Sequence, residues 1–330
     1  MKFPLIRTTL IALAGIAAAA APALAEIELK AASALATNRE QAQGFIRFFV
    51  GTLNQQGKGV LRFHFLGGPE VMPPSKQAQA VGRGALDVAM SPASYYAGNV
   101  PEANLVVVSE RTPGELRKNG GFALLDAAHQ KKLNAKLLAW GDSGGAFNTY
   151  LSQKPPMTAD GGIDLKGFKL RSTATYRPLF NFLGGTSISM PSGDIYTGLQ
   201  RGVIQGFGTP SSGLVALGVK GLAKYRIDPS FYRINNFVLM NVDRWKALPQ
   251  GAKDLLERVA MSYEVESSKF YLAAAAVDEK EMKSAGMQVV TLKGEAAKKY
   301  LAAANNGMIE RISKQAGAAS VDALLAKMRK

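Results

Sequence analysis

The sequence predicts an α/β protein built from two lobes, and three observations support this fold class. Short apolar strand-like runs alternate with helical periodicity along most of the chain, which is typical of open sheets covered by helices. The segments 83–87 and 201–205 each end a helix with Arg-Gly and then start a strand, which indicates two lobes with the same order of helices and strands. The segment 253–283 has neither proline nor glycine and carries apolar residues at i+4 spacing, which predicts one long helix that braces both lobes.

The beginning of the chain predicts a signal peptide. Lys2 and Arg7 give a positive start, 10–21 is apolar and rich in alanine, and an Ala-Leu-Ala motif ends at Ala25, after which cleavage is expected. A membrane anchor is the alternative, but this run is shorter than the roughly 20 apolar residues that a span needs. Because 26–330 contains no longer apolar segment, we expect a periplasmic protein that is not membrane-embedded.

Composition excludes several classes of function. The sequence has no cysteine, so disulfides, thiol nucleophiles and thiolate metal sites are excluded. Its formal charge of +15 favours anions, yet no run of five basic residues indicates a nucleic-acid site. His64 and His129 stand apart from acidic clusters, so we expect no metal. No phosphate loop, dinucleotide fingerprint or nucleophile–base pair is present, so we expect neither a cofactor nor an enzyme.

The elements follow from local periodicity and from glycine or capping residues at their ends. Alternation and short apolar runs predict strands over 26–32, 61–65, 86–90, 105–108, 136–140, 147–152, 169–172, 186–190, 203–207, 235–241 and 287–292. Helical spacing predicts helices between Thr37 and Gly57 and over 77–83, 115–133, 176–182, 194–201 and 253–283. From Pro249 onward the pattern is mainly helical.

One motif carries the chemistry. The run Asp-Leu-Lys-Gly-Phe-Lys-Leu-Arg at 164–171 places Arg171 at the end of a short strand, where a loop begins. A guanidinium on a rigid element is a natural receptor for a carboxylate, because its planar fork matches the two oxygens. From the residues alone, a structural salt bridge of Arg171 with Asp164 or Asp194 is the competing interpretation.

Further motifs occur in order along nearly the whole chain after the signal peptide. They are Gly-Pro-Glu-Val at 68–71, Gly84-x-x-Asp87, the run at 164–171, Pro191 with Asp194, Tyr196 and Leu199-Gln200-x-Gly202-Val203, and Asn241-x-x-x-Trp245-x-x-Leu248-Pro249. Together these signatures resemble the substrate-binding proteins of TRAP transporters, the tripartite ATP-independent periplasmic carriers.

The resemblance implies a two-lobed periplasmic binding protein fold with a ligand cleft between the lobes. It also implies capture of a small organic acid, delivery to the membrane permease subunits, and pairing of Arg171 with the ligand carboxylate. We expect 26–148 and 235–275 to form the first lobe, and 149–234 and 276–330 the second. The protein is expected to be a monomer.

The sequence departs from the family pattern in one place. Many relatives have an acidic residue and an asparagine before Pro210, and here Gly208 and Thr209 take these positions. The Thr209 hydroxyl still offers one hydrogen bond, and Phe207 offers an apolar wall.

Other candidate binding residues have plausible structural roles as well. Tyr95 and Tyr96 follow a predicted strand, where open α/β folds place ligands, but loop packing is equally consistent. Thr173 follows Arg171 near a helix start, where free backbone donors favour an anion. Phe147 offers a second apolar wall or a core position, and Asn38 either reaches the cleft or caps a helix.

The ligand and the exact role stay open at this level. The candidate aromatic residues favour an aromatic or branched acid, with a short keto or hydroxy acid as the alternative. A dicarboxylate requires a second cation, for which Arg39, Arg177 and Arg233 are candidates. Alternative functions are an organic-acid-sensing protein and a solute receptor of another transporter class.

Overall fold

The computed structural model describes residues 26–330, so the predicted signal peptide and its cleavage site lie outside the described residues. The fold is mixed α/β with two sheets, which confirms the predicted fold class. The strands are β1 Ile27–Ser33, β2 Leu61–Gly67, β3 Val88–Pro92, β4 Ala135–Gly141, β5 Ala146–Leu151, β6 Lys169–Ser172, β7 Thr186–Ser189, β8 Gly206–Pro210, β9 Tyr225–Arg233, β10 Asn236–Asn241 and β11 Gln288–Thr291.

Helices cover both sheets. The α-helices are α1 Glu40–Gly44, α2 Thr52–Gln56, α3 Pro74–Gly82, α4 Pro113–Asn119, α5 Gly121–Leu133, α6 Arg177–Phe182, α7 Ile195–Gln200, α8 Val242–Ala247, α9 Gln250–Ser284, α10 Gly294–Ala316 and α11 Ala318–Met328. A π-helical segment, Phe45–Gly51, joins α1 to α2, and short 3-10 helices span Ala93–Tyr95, Pro101–Val108 and Ser192–Asp194. Within residues 26–330, the helices include none that is both long and apolar enough to cross a membrane.

The first lobe is built on the sheet β2-β1-β3-β10-β4, in which β10 runs antiparallel to both of its neighbours. One face of this sheet packs on the first helices and α9 through a cluster that includes Phe45, Phe49 and Tyr263. On the other face, Trp140 and Phe237 are buried, and the Trp140 indole donates to the Ile234 carbonyl at 2.6 Å. The central strands are therefore buried on both faces, which explains why they read as apolar runs.

The second lobe is built on the sheet β11-β9-β5-β8-β6-β7. β5 is antiparallel to β8 and β9, whereas β6 is parallel to β7 and β8. The chain passes from the first sheet to the second between β4 and β5, and it returns between β9 and β10. The parallel strands β6 and β8 thus end on the same edge, where loops and ligands collect in open sheets.

The last helix of the chain lies against the first lobe. The Glu110 amide donates to the Met328 carbonyl at 3.0 Å, and the Asn119 side-chain amide donates to the Lys327 carbonyl at 2.8 Å. The exact division into 26–148 with 235–275 and 149–234 with 276–330 stays a prediction, because contacts such as these cross between the two parts.

The long helix α9 confirms the strongest prediction from periodicity. It has 35 residues, which corresponds to roughly 52 Å at 1.5 Å per residue. Its first half packs on the first sheet, where Glu264 accepts a hydrogen bond from the Trp140 amide at 3.0 Å. Its second half holds the loop after β8, since Tyr271 accepts from the Ser212 amide and Asp278 from the Leu214 amide, both at 2.7 Å. One helix therefore braces both lobes.

Three local predictions were wrong, and one strand was missed. The run 105–108 is not a strand but part of the 3-10 helix Pro101–Val108, and short apolar runs do not separate these states. The predicted helix 115–133 is two helices, because Gly120 has φ 85° and ends α4. Strand 203–207 lies instead at Gly206–Pro210, and β9 was missed because Pro229 and irregular pairing obscure its alternation.

Two leucines test how α9 packs on the core of the first lobe. Leu256 is fully buried, so Leu256→Ala should lower the free energy of unfolding by about 2–5 kcal/mol, since it leaves a cavity in the first-lobe core. Leu272 is 51% exposed, and Leu272→Ala is the matched control, expected to change the unfolding free energy by less than about 0.5 kcal/mol. Urea denaturation followed by circular dichroism measures both. Equal effects of the two substitutions would contradict the packing described.

Candidate functional site

A narrow cavity lies between the two sheets, with a volume of about 40 Å³. That is room for only a few water molecules, so the two sides close tightly around it. The first-lobe side contributes Leu35, Arg39, Gln41, Pro92, Ser94 and Tyr95; the second-lobe side contributes Phe147, Arg171, Thr173, Tyr176, Ser192, Thr209 and Pro210; Asn235 and Asn236 come from the returning strand. A molecule in this cavity touches both lobes.

Arg171 is held by backbone carbonyls alone. Its strand β6 lies between β7 and β8, and the side chain is only 2% exposed. Nε donates to the Met190 carbonyl at 2.9 Å, and Nη1 donates to the Gly208 carbonyl at 2.8 Å. These neutral partners fix the plane of the fork without neutralising its charge.

No acid pairs with this guanidinium. Among residues 26–330, no carboxylate oxygen lies within 4.0 Å of Arg171, so the salt bridges with Asp164 and Asp194 are absent. Asp164 instead accepts a hydrogen bond from the Lys166 amide at 2.9 Å. The second terminal nitrogen, Nη2, makes no hydrogen bond within the described residues, and the cavity lies beside it.

An aromatic wall encloses the Arg171 side of the cavity. The Tyr176 ring lies 5.9 Å from Cζ of Arg171 and 5.3 Å from the Phe147 ring, which it meets edge to face. Burial raises the pKa of the Tyr176 hydroxyl, so it stays protonated. This wall keeps water away from the guanidinium, which strengthens any charge-assisted hydrogen bond made there.

Tyr176 also explains the glycine at 208. A Cβ on Gly208 would lie 2.6 Å from Cγ and Cδ1 of Tyr176, closer than any side chain tolerates. The acidic residue that the resemblance leads one to expect at this position therefore does not fit beside Tyr176.

Five of the predicted site residues line the cavity: Arg171, Thr209, Tyr95, Phe147 and Thr173. They meet because each lies close to a strand end on the edge that faces the other lobe: Phe147 is near the start of β5, and the others are near or beyond the ends of their strands. Their role in binding a ligand stays a prediction.

Three predicted residues lie elsewhere, for physical reasons. Phe207 stacks on Tyr150 at 5.4 Å, deep in the second-lobe core. The Tyr96 hydroxyl is hydrogen-bonded to Nε2 of His129 at 3.0 Å inside the first lobe. Asn38 is exposed and lines a neighbouring groove at the cavity mouth.

Of the three candidate second cations, the structure brings only Arg39 to the cavity. Arg177 is exposed at the start of α6, and Arg233 points toward the carbonyls of Glu110 and Arg111 at 3.5 and 3.4 Å. Gln41, Asn235 and Asn236 line the cavity but were missed in the sequence. The adjacent asparagines at a strand start were the available signal, since amides there suit polar recognition.

A buried acid sits behind the cavity. Asp142 directly follows β4, where the chain begins to cross to the second lobe. Its Oδ2 accepts a hydrogen bond from the Asn236 side-chain amide at 2.8 Å. Its Oδ1 is buried and has no partner within the described residues. Burial raises the pKa of the Asp142 carboxyl to about 7, while the Asn236 hydrogen bond lowers it in part. Asp142 thereby orients one amide of the site without placing a full charge beside it.

Within the part of the chain that the structure describes, no group of three or more His, Cys, Asp or Glu side chains is arranged to hold a metal ion. The polar side chains of the cavity are therefore guanidinium, amide and hydroxyl groups. Such a set recognises an anion with oxygen acceptors.

Comparisons with known proteins identify the family. Residues 31–315 match the family model for bacterial extracellular solute-binding protein, family 7. A solute-binding protein of Albidiferax ferrireducens is 27% identical over 270 residues, which cover 77% of this chain and 76% of that protein. The chain belongs to this family, which comprises the TRAP periplasmic solute-binding proteins.

Solved structures share the fold. A TRAP periplasmic solute-binding protein from Desulfovibrio salexigens with bound orotic acid superposes with a TM-score of 0.79 at 18% identity, covering 92% of this chain and 99% of that chain. A TRAP solute-binding protein from Bordetella bronchiseptica, with calcium and picolinate bound, also gives 0.79, at 17% identity over 92% and 91% of the two chains. One from Sulfitobacter with bound β-D-galacturonate gives 0.75 at 16% identity over 91% and 99%.

The buried carboxyl predicts a pH dependence. Because the pKa of Asp142 is raised in the folded state, from about 4 to about 7, the folded state holds this proton more tightly than the unfolded chain. The free energy of unfolding should therefore fall as pH rises from about 4 to 7, and this contribution should be constant above 7. A pKa difference of about 3 corresponds to about 4 kcal/mol.

Asp142→Asn isolates this contribution, since asparagine does not ionise and other titrating groups cancel in the difference. The stability of the variant relative to the wild type should increase between pH 4 and pH 8. Urea denaturation at several pH values measures it. Parallel stability profiles for the two proteins would mean that Asp142 titrates normally.

Proposed function

We propose that this chain is the periplasmic receptor of a TRAP transporter, that it captures a small organic acid, and that it delivers the acid to the membrane permease. The observation that carries the proposal is the guanidinium of Arg171, which is 2% exposed, borders the interlobe cavity and has no acidic partner within the described residues. The relatives support it, since the Desulfovibrio salexigens protein binds orotic acid and the Sulfitobacter protein binds a galacturonate.

In this proposal the ligand carboxylate neutralises Arg171. The two carbonyl contacts hold the fork in place, so Nη2 meets the carboxylate with little loss of side-chain freedom. The Thr173 and Thr209 hydroxyls on the same cavity wall supply further donors. One charge-assisted hydrogen bond contributes roughly 1.5–3 kcal/mol, so this set provides a large part of the binding energy of a small ligand.

The arrangement of the cavity supports lobe closure as part of this proposal. Its lining comes from loops of both sheets, so a ligand makes its full set of contacts only when the lobes are closed. A ligand that prefers one state shifts the population toward it. The strands β4 and β9 each lead directly into the other lobe, and these two crossovers are the proposed hinges. The closed form is the one that the permease recognises.

The same proposal includes export. Residues 1–25 direct the chain to the periplasm and are removed after Ala25. The family is one of transport solute-binding proteins, and the site contains no nucleophile–base pair within the described residues, so we assign the chain a binding role. An organic-acid-sensing protein would use the same cavity. Binding to a partner other than the permease subunits would distinguish this role from transport.

The cavity favours a short acid. Phe207 and Tyr96 do not contribute to it, so the aromatic slot expected from the sequence reduces to Phe147, Tyr95 and Tyr176. With a volume of about 40 Å³, the closed cavity fits a short keto or hydroxy acid better than an aromatic one.

Arg171→Ala tests the assigned role. A thermal-shift screen of organic acids first identifies a ligand, because a ligand that binds the folded state raises the melting temperature. Loss of the paired charge should then weaken that ligand by about 10- to 100-fold in isothermal titration calorimetry. Arg201→Ala, which removes an exposed arginine of the same lobe, is the control and should leave the affinity unchanged. Wild-type affinity in Arg171→Ala would remove this residue from the site.

Closure has its own measurement. Adding the ligand should lower the radius of gyration in small-angle X-ray scattering, because the lobes approach each other around it. The scattering of Arg171→Ala at the same ligand concentration should stay that of the free protein. A wild-type profile that is unchanged at saturating ligand would refute closure.

A further inference from the structure

Arg39 is a second guanidinium at the cavity, and it comes from the opposite lobe. It precedes α1 with an extended backbone, its side chain caps no helix, and it is 6% exposed. The guanidinium reaches across to the loop after β8. A Cβ on Gly213 would lie 2.6 Å from both Cζ and Nη2 of Arg39, so a larger residue at 213 would force the guanidinium to move. Gly213 also has φ 86°, which glycine adopts without strain.

This charge has no partner. Nε and Nη1 of Arg39 are buried without a hydrogen bond, and no carboxylate oxygen lies within 4.0 Å of the guanidinium in residues 26–330. Two other arginines on the interior of the fold are neutralised, since Arg117 pairs with Glu264 at 2.7 Å and Arg226 pairs with Asp228 at 2.9 Å. A buried unpaired charge is costly, and because Arg39 lines the interlobe cavity, a bound molecule is able to supply its partner.

Two acids near Arg39 do not fill this role. Burial raises the pKa of Asp278, whereas hydrogen bonds from the 213–215 loop, including the Leu214 amide at 2.7 Å, and the charge of Arg39 lower it in part; Asp278 makes neither a hydrogen bond nor an ion pair with Arg39. Glu40 also approaches Gly213, with Oε2 2.8 Å from the same Cβ position, but it makes neither a hydrogen bond nor an ion pair with Arg39. The guanidinium therefore retains unused donors, Nε and Nη1, in a side chain that lines the same cavity as Arg171.

We propose that Arg39 is the second anion-binding group of the cleft and that the ligand carries a second oxyanion besides the carboxylate bound by Arg171. This inference rests on the proposed function and narrows its ligand class to short dianionic acids. One cation belongs to each lobe, so a dianion neutralises both and holds the lobes together. A monoanion leaves one buried charge unpaired in the closed state, and closure around it is correspondingly weaker.

The test compares matched acids on the mature protein. Malonate, succinate and glutarate are titrated beside propionate, butyrate and valerate, and 3-sulfopropanoate distinguishes a second carboxylate from another oxyanion. We expect the best dicarboxylate to bind about 10- to 100-fold more tightly than its monocarboxylate. Arg39→Gln should abolish this preference by weakening the dicarboxylates, and it should leave monocarboxylates bound at least as tightly as in the wild type, because the unpaired charge is removed. Arg171→Ala should weaken both kinds of acid.

Glu40→Gln is the matched control. If Arg39 served only as a partner of Glu40, then Glu40→Gln and Arg39→Gln would weaken dianions equally. The proposal expects Glu40→Gln to leave dianion affinity unchanged or to increase it, because a neighbouring negative charge is removed. Equal losses in the two variants would overturn the assignment of Arg39.

A measurement without ligand separates the fold from the site. Because Arg39 is buried and unpaired, Arg39→Gln should raise the melting temperature of the free protein. A lower melting temperature would show that Arg39 stabilises the fold and would count against the proposal. Binding of monocarboxylates alone overturns the inference about Arg39 and leaves the role of Arg171 standing, whereas a protein that binds no carboxylate overturns both.

Discussion

The burial of positive charge without an acidic partner is the constraint on which the site depends. Arg171 is removed from water by an aromatic wall and is held by two carbonyl oxygens, which orient the guanidinium but leave its charge intact. Several features of the second lobe serve this arrangement. Gly208 has no side chain, which leaves room for the Tyr176 ring beside Arg171. The Gly208 carbonyl is also one of the two that accept hydrogen bonds from the Arg171 guanidinium. In the proposed function, an anionic ligand supplies the missing partner.

The fold delivers this charge to the right place through its chain crossings. The parallel strands β6 and β8 end on one edge of the second sheet. β5 begins at this edge, directly after the chain has crossed from the first lobe, and the chain returns from the same edge to β10 of the first sheet. The site thus lies where the chain changes lobes, and in the proposed closure small rotations about the crossovers move its two sides relative to each other. α9 limits these rotations, because it is bonded to Trp140 in one lobe and to Ser212 and Leu214 in the other.

Sequence patterns predicted those features that depend on local chemistry. α9 was found because an uninterrupted stretch without glycine or proline favours only a helix, and Arg171 was found because a motif fixes its position at a strand end. Features set by three-dimensional contacts were missed. Nothing local distinguishes Tyr95, which faces the cavity, from Tyr96, which bonds to His129. Likewise, Phe207 and Thr209 share a face of β8, and only depth along the strand separates core from cavity.

In the proposed function, the polar character of the interlobe contact favours release of the ligand. Several buried atoms without partners lie on or near this contact, among them donors of Arg39 and oxygens of Gln41, Asp142 and Ser212. An apolar contact of the same extent would hold the lobes together with no ligand present. Unsatisfied polar groups instead make the empty closed state unfavourable, since each loses its bonds to water when the lobes meet. In the proposed function, the ligand removes the largest of these penalties by neutralising the buried charge. Binding and closure are then coupled by desolvation, and opening restores hydration when the permease withdraws the acid.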